Sequence, residues 1–129
     1  MPTVKSKLAL LGGLIHAAAA IGILFFPVFV TCINQKCSGQ SYIQMGGNAL
    51  GYSFLLAMIL AGVAAVYSSL LSNVQRANGI RVFVLLASVI VIFVAGFSFG
   101  IAFIPGALLV AFAILFQTIA SNSQTELQK

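Results

Sequence analysis

The sequence predicts an all-α fold, a polytopic membrane protein built as a bundle of four transmembrane helices in one domain, 1–129. Hydrophobic residues make up 61% of the chain and charged residues only 5%, too few polar groups to cover a water-facing surface. Mean hydropathy is +1.16. The apolar residues are gathered into long runs, and a hydrocarbon core of about 30 Å needs about 20 residues of helix.

The first run extends from Leu8 to about Val30, after Lys5 and Lys7 and before Thr31. A secretory signal peptide is the rival reading, with Ala17 to Ala20 as its cleavage region. The apolar run continues unbroken through Ile21-Gly22-Ile23-Leu24-Phe25-Phe26. A retained span is therefore expected.

A polar loop follows over residues 31–48, and it carries both cysteines of the chain, Cys32 and Cys37. An oxidising compartment favours a disulfide between them. Redox exchange usually uses two residues between the cysteines, and this pair has four. Zinc would need three or four ligands, yet the one histidine is remote, inside a span. A structural staple is the expectation.

The second run covers about Ala49 to Leu71. Ser53, Ala57, Ala61, Ala65 and Ser69 recur in it at every fourth position. Lipid tails give helices no hydrophobic drive to associate, so close approach over small residues replaces it. The strip is expected to pack against a neighbouring helix. Shorter series of the same kind occur in Gly12, His16 and Ala20, and in Ala102 with Gly106.

From Val82 to Ala120 the chain is apolar for about 39 residues, nearly twice one span. It must fold back. Gly96 and Gly100 place the turn at Phe97-Ser98-Phe99-Gly100, and Pro105 belongs near a helix start. The third and fourth spans are thus expected at about 82–98 and 101–120, with a polar tail at 121–129.

Orientation follows from the basic residues. With the N-terminus inside, Lys5, Lys7, Arg76, Arg81 and Lys129 lie on the cytoplasmic side and only Lys36 outside. Tyr42 and Tyr52 fit the outer interfacial belt, and Tyr67 the inner one. The same scattered placement, singly or in pairs at the edges of apolar runs, argues against a nucleic-acid partner, which would need clustered basic side chains.

His16 is the one ionisable side chain well inside a span, roughly 13 Å up the axis from Lys7. A neutral histidine satisfied by one hydrogen bond is the plain reading. The sharper one is ligation of haem or (bacterio)chlorophyll, for which the small residues Gly12 and Ala20 would leave room. The chain's sole acidic residue is Glu126, in the polar tail. Proton-coupled export through a buried carboxylate and acid–base catalysis both lack their residues.

Gly96-Phe97-Ser98-Phe99-Gly100-Ile101-Ala102-Phe103-Ile104-Pro105-Gly106-Ala107-Leu108-Leu109 resembles the closing hairpin of small four-helix bacterial membrane proteins of unknown function. The likeness extends to a first span ending near a proline, here Pro27, and a polar loop carrying Gly46-Gly47. It supports a bacterial setting, hence an inner membrane, and supplies no activity. The functional expectation is a small accessory or structural subunit, not an enzyme, packed laterally in a larger membrane complex such as an energy-transducing one. Its partners would be the lipid bilayer and other membrane subunits or further copies of itself. The apolar turn Phe97 to Ile104 motivates this, since a water-facing turn would carry polar residues. The alternatives are an oligomeric channel or transporter for a small solute, using the serines of the second span, and a pigment- or haem-binding subunit through His16.

Overall fold

The computed structural model describes residues 3–126, and at 96–99 the backbone alone. The fold is an all-α four-helix bundle with one small addition, a two-stranded hairpin. In order, the elements are α1 (Val4–Phe25), β1 (Phe29–Ile33), β2 (Lys36–Gln40), α2 (Ala49–Leu70), α3 (Val74–Phe99), a 3-10 turn (Gly100–Phe103) and α4 (Ile104–Glu126). All four helices are long and apolar enough to cross a bilayer.

Thr3 caps α1, its hydroxyl accepting from the Ser6 amide. The helix ends at Phe25, five residues short of the expected Val30. The cause is Pro27, because the residue before a proline is driven out of the helical region. Phe26 is accordingly extended, at φ −90° and ψ 149°. Freed from the helix, Phe29 to Gln40 forms the antiparallel hairpin with Cys32 opposite Cys37. Asn34 and Gln35 make its two-residue turn, both with positive φ, 51° and 65°, as such a tight turn demands.

Asn48 caps α2 by accepting from the Gly51 amide at 2.8 Å. Asn73 does the same for α3, accepting from the Arg76 amide at 3.1 Å. The third helix therefore begins at Val74, eight residues before the expected Val82. Arg76, Asn78 and Arg81 read as loop by polarity, yet they form the first two turns of a helix 26 residues long. At about 1.5 Å per residue it exceeds the hydrocarbon thickness by two turns.

The expected turn at Phe97 to Gly100 lies later. Backbone 97–99 remains helical, the reversal is the 3-10 turn Gly100–Phe103, and α4 starts at Ile104 with Pro105 in its first turn. The side chains of 97–99 lie outside the described residues, as do Lys129 and the end of the tail. A Cβ on Gly100 would come within 2.8 Å of the Ile92 carbonyl, so the reversal hugs α3 and admits no side chain there.

The helices form a ring in which α1 and α3 each pack against both α2 and α4. Two consecutive glycines let α1 approach both neighbours. A Cβ on Gly13 would lie 2.5 Å from the Gly62 carbonyl oxygen on α2, and one on Gly12 would lie 3.0 Å from the Gly106 carbonyl oxygen on α4. Small residues at the crossing are what helix association in lipid requires.

The expected strip on α2 is only partly at an interface. Ala61 and Ala65 are buried and Ser69 is half-buried, but Ser53 and Ala57 are exposed. A strict four-residue spacing drifts about 40° around the helix per step. The buried set is Gly51, Leu55, Met58, Ala61, Gly62, Ala65 and Ser68, whose mix of three- and four-residue spacings keeps it on the contact seam.

Candidate functional site

Between two apolar clusters the bundle interior holds a polar node centred on His16. Toward the hairpin end lie Ala20, Ile23, Leu55, Met58, Val91 and Phe103. Toward the end carrying both termini lie Ala61, Ala65, Val84 and Val110. His16, fully buried, sits at the level between them. Its Nδ1 donates to the Gly12 carbonyl at 2.9 Å, since a carbonyl can only accept.

Nε2 faces the Ser88 hydroxyl across the bundle on α3, also at 2.9 Å. That hydroxyl is 2.7 Å from the Val84 carbonyl as well. One hydroxyl proton thus has two acceptors when the imidazole is neutral. An imidazolium would complete the series instead, Nδ1–H to Gly12, Nε2–H to Ser88, and the Ser88 hydroxyl to Val84. Among the described residues no carboxylate approaches the ring, so its chemistry is hydrogen bonding between α1 and the diagonal helix α3.

A macrocycle does not fit here. The Nε2 lone pair a metal would need is directed at Ser88. Phe103 stacks on the ring at a centroid distance of 6.0 Å, and a Cβ on Gly106 would collide with Nδ1. Of the small residues expected to make room for a cofactor, Gly12 admits α4 at Gly106 and Ala20 is buried in the apolar cluster toward the hairpin.

The hairpin is the second feature. Cys32 and Cys37 form a disulfide with their Cα atoms 4.0 Å apart. Beneath it lies Tyr42, which sequence reading assigned to an interfacial belt and which is buried instead, 7% exposed. Its ring meets Phe29 and Tyr52, its amide donates to the Ile23 carbonyl, and its hydroxyl donates to Asn48. A Cβ on Gly47 or Gly51 would strike this ring. The loop after the hairpin is thereby plugged into the bundle mouth, while Val30 and Ile33 are 71% and 72% exposed.

The third feature was invisible as a site in the sequence. Arg81 counted there as a loop charge, but it is the eighth residue of α3 and only 4% exposed. Its Nε donates to the Ser68 hydroxyl at 3.3 Å, which itself donates to the Ala65 carbonyl. Ser88 and Ser68 were not singled out either. Each faces a buried ionisable residue of another helix, His16 for Ser88 and Arg81 for Ser68, a pairing that only the helix register reveals.

The serines of the expected channel face do not share a direction. Ser53 is exposed and donates to the Ala49 carbonyl, and Ser69 donates to the Val66 carbonyl. Comparisons with protein-family models, curated proteins and solved structures found no match for this chain.

Proposed function

We propose that this membrane protein is a small accessory or structural subunit that packs laterally in a larger membrane assembly, of the kind energy-transducing complexes contain. The observation that carries the proposal is the hairpin. It projects beyond the end of α1, its shape is fixed by the Cys32–Cys37 bridge and the Tyr42 plug, and it exposes Val30 and Ile33. A free hairpin in water would carry polar side chains at such positions. An ordered, partly apolar element loses little conformational entropy on docking to a partner.

The setting proposed with it is a bacterial inner membrane, with both termini cytoplasmic and the hairpin outside. The excess of basic residues at the terminus end supports that orientation.

The test is gentle solubilisation from the native membrane followed by size analysis. The tagged chain should elute in a complex with other integral membrane proteins. Val30→Asp combined with Ile33→Asp should release it while the isolated bundle keeps its helicity. A stable monomer that co-purifies with nothing would overturn the proposal.

A further inference from the structure

Where α1 begins and α2 ends, the bundle has a half-open cavity of about 250 Å³ whose polar lining includes Lys5, Ser6, Ser69, Ser72, Arg81 and Gln117. Its charge is one-sided. Two cations line it, and the single acidic residue of the chain, Glu126, lies nine positions beyond Gln117 on α4, about 13 Å further along the axis.

Arg81 is 4% exposed and spends one donor, Nε, on Ser68. Its guanidinium has five donors in a planar fork. The remaining four have no protein acceptor among the described residues and border the cavity. Side chains on a helix lean toward its N-terminus, so an arginine eight residues into α3 reaches back to this mouth.

Gln117 is 9% exposed, lines the same cavity and makes no side-chain hydrogen bond among the described residues. The hydroxyls of Ser6 and Ser69 are already committed to the Ser69 and Val66 carbonyls. The free donors therefore include Arg81, Gln117 and the half-buried Lys5, with the exposed Ser72 hydroxyl at the rim. These donors are reached from the cavity, so an anion that enters it meets charge-assisted partners.

The neighbouring surface names the form in which the anion arrives. An apolar groove lined by Val4, Phe116 and Ala120 runs between α1 and α4 and shares Thr3 and Lys5 with the cavity. A basic pocket that opens beside a lipid-facing groove matches a headgroup with its acyl chain attached.

We infer that this cavity binds a phosphate-class anion, the phosphodiester headgroup of an anionic phospholipid, held by Arg81 with Lys5 and Gln117. The fork of Arg81 takes two phosphate oxygens, the amide of Gln117 a third contact, and Lys5 closes the rim. The acyl chain lies along Val4 and Phe116.

The experiment is native mass spectrometry of the full chain from mild detergent, supplied with phosphatidylglycerol or phosphatidylcholine. The chain should retain one phosphatidylglycerol in preference to phosphatidylcholine, and Arg81→Gln should reduce that preference about tenfold, the worth of one charge-assisted contact. Arg76→Gln, the same charge change at an exposed position, should leave it unchanged. If Arg81→Gln does not fold, Gln117→Leu and Lys5→Gln carry the test, each with a smaller loss. Equal retention of both lipids, or equal loss in the Arg76 and Arg81 variants, would overturn the inference. Displacement of the lipid by inorganic phosphate, with the same protection against thermal unfolding, would overturn the lipid as the source and assign a soluble phosphate.

Discussion

Gly13→Ala should destabilise the bundle by about 1–3 kcal/mol, the usual range for overpacking a close contact. The new methyl would stand 2.5 Å from the Gly62 carbonyl oxygen, 2.9 Å from the Val66 nitrogen and 3.0 Å from the Ala65 Cβ. Ordinary carbon–oxygen approach is about 3.3 Å, so α1 and α2 must separate by roughly 0.8 Å. A gap of that size forfeits about a quarter to a half of the dispersion energy of every atom pair along the crossing. Two of the three obstacles are backbone atoms and the third is a rigid methyl, so no side chain can swing aside. Gly62→Ala should behave alike, because its methyl would meet the Gly13 carbonyl oxygen at 2.6 Å. The double variant should cost less than the two single losses added, since the first separation makes most of the room the second needs. Gly22→Ala is the control: nothing lies within 4 Å of that Cβ, and it should be neutral or stabilising by up to about 1 kcal/mol through helix propensity. Unfolding in mixed micelles by titration with a denaturing detergent, followed by circular dichroism, measures all four. Equal stability of the Gly13 and Gly22 variants would refute the close crossing.

Ser88→Ala should cost about 1–3 kcal/mol in the same assay, because it strands the buried Nε2 of His16 2.9 Å from a missing partner, and His16→Leu in that background should recover part of the loss. Cys32→Ser opens a bridge between residues five apart in sequence, so the isolated bundle should lose about 2 kcal/mol or less by loop entropy. Retention of the partner complex on size analysis should fall further than that loss explains. In intact cells an impermeant thiol reagent should label Cys32 and Cys37 after reduction, whereas cysteines introduced at Ser72 or Ser121, both exposed at the terminus end, should stay protected. The opposite pattern would invert the proposed topology.

Apolar run length was enough to read four helices, because the bilayer sets one length scale for every span. Boundaries were less legible. Hydropathy alone carried the first span across Pro27, although the extended Phe26 shows that local steric rules decide where α1 stops. It also withheld Arg76 to Arg81 from α3, since an interfacial helical turn and a loop have the same composition. The disulfide was legible from two cysteines in one polar loop. The strands around it were not, because Phe29 and Val30 were absorbed into the preceding apolar run. His16 was legible as an exception inside a span, but its partner Ser88 lies 72 residues away in sequence. Arg81 was hardest of all: a basic residue beside an apolar run reads as a topological signpost, and only its bond to Ser68 and the cavity it shares with Gln117 set it apart.

The paired glycines of α1 bear on how the chain is assembled as it leaves the ribosome. Helices α1 and α2 emerge first and can join through Gly13 and Gly62 before the rest exists. At that stage Gly12 and His16 still face outward, since Gly106 and Ser88 belong to helices not yet inserted. An intermediate ending after α2 would present an imidazole to hydrocarbon, a surface that insertion chaperones and membrane proteases can discriminate. The arrival of α3 and α4 hides it. A chain truncated at Ser72 should therefore be degraded faster than the same fragment carrying His16→Leu, and equal lifetimes in a pulse-chase experiment would argue against this checkpoint.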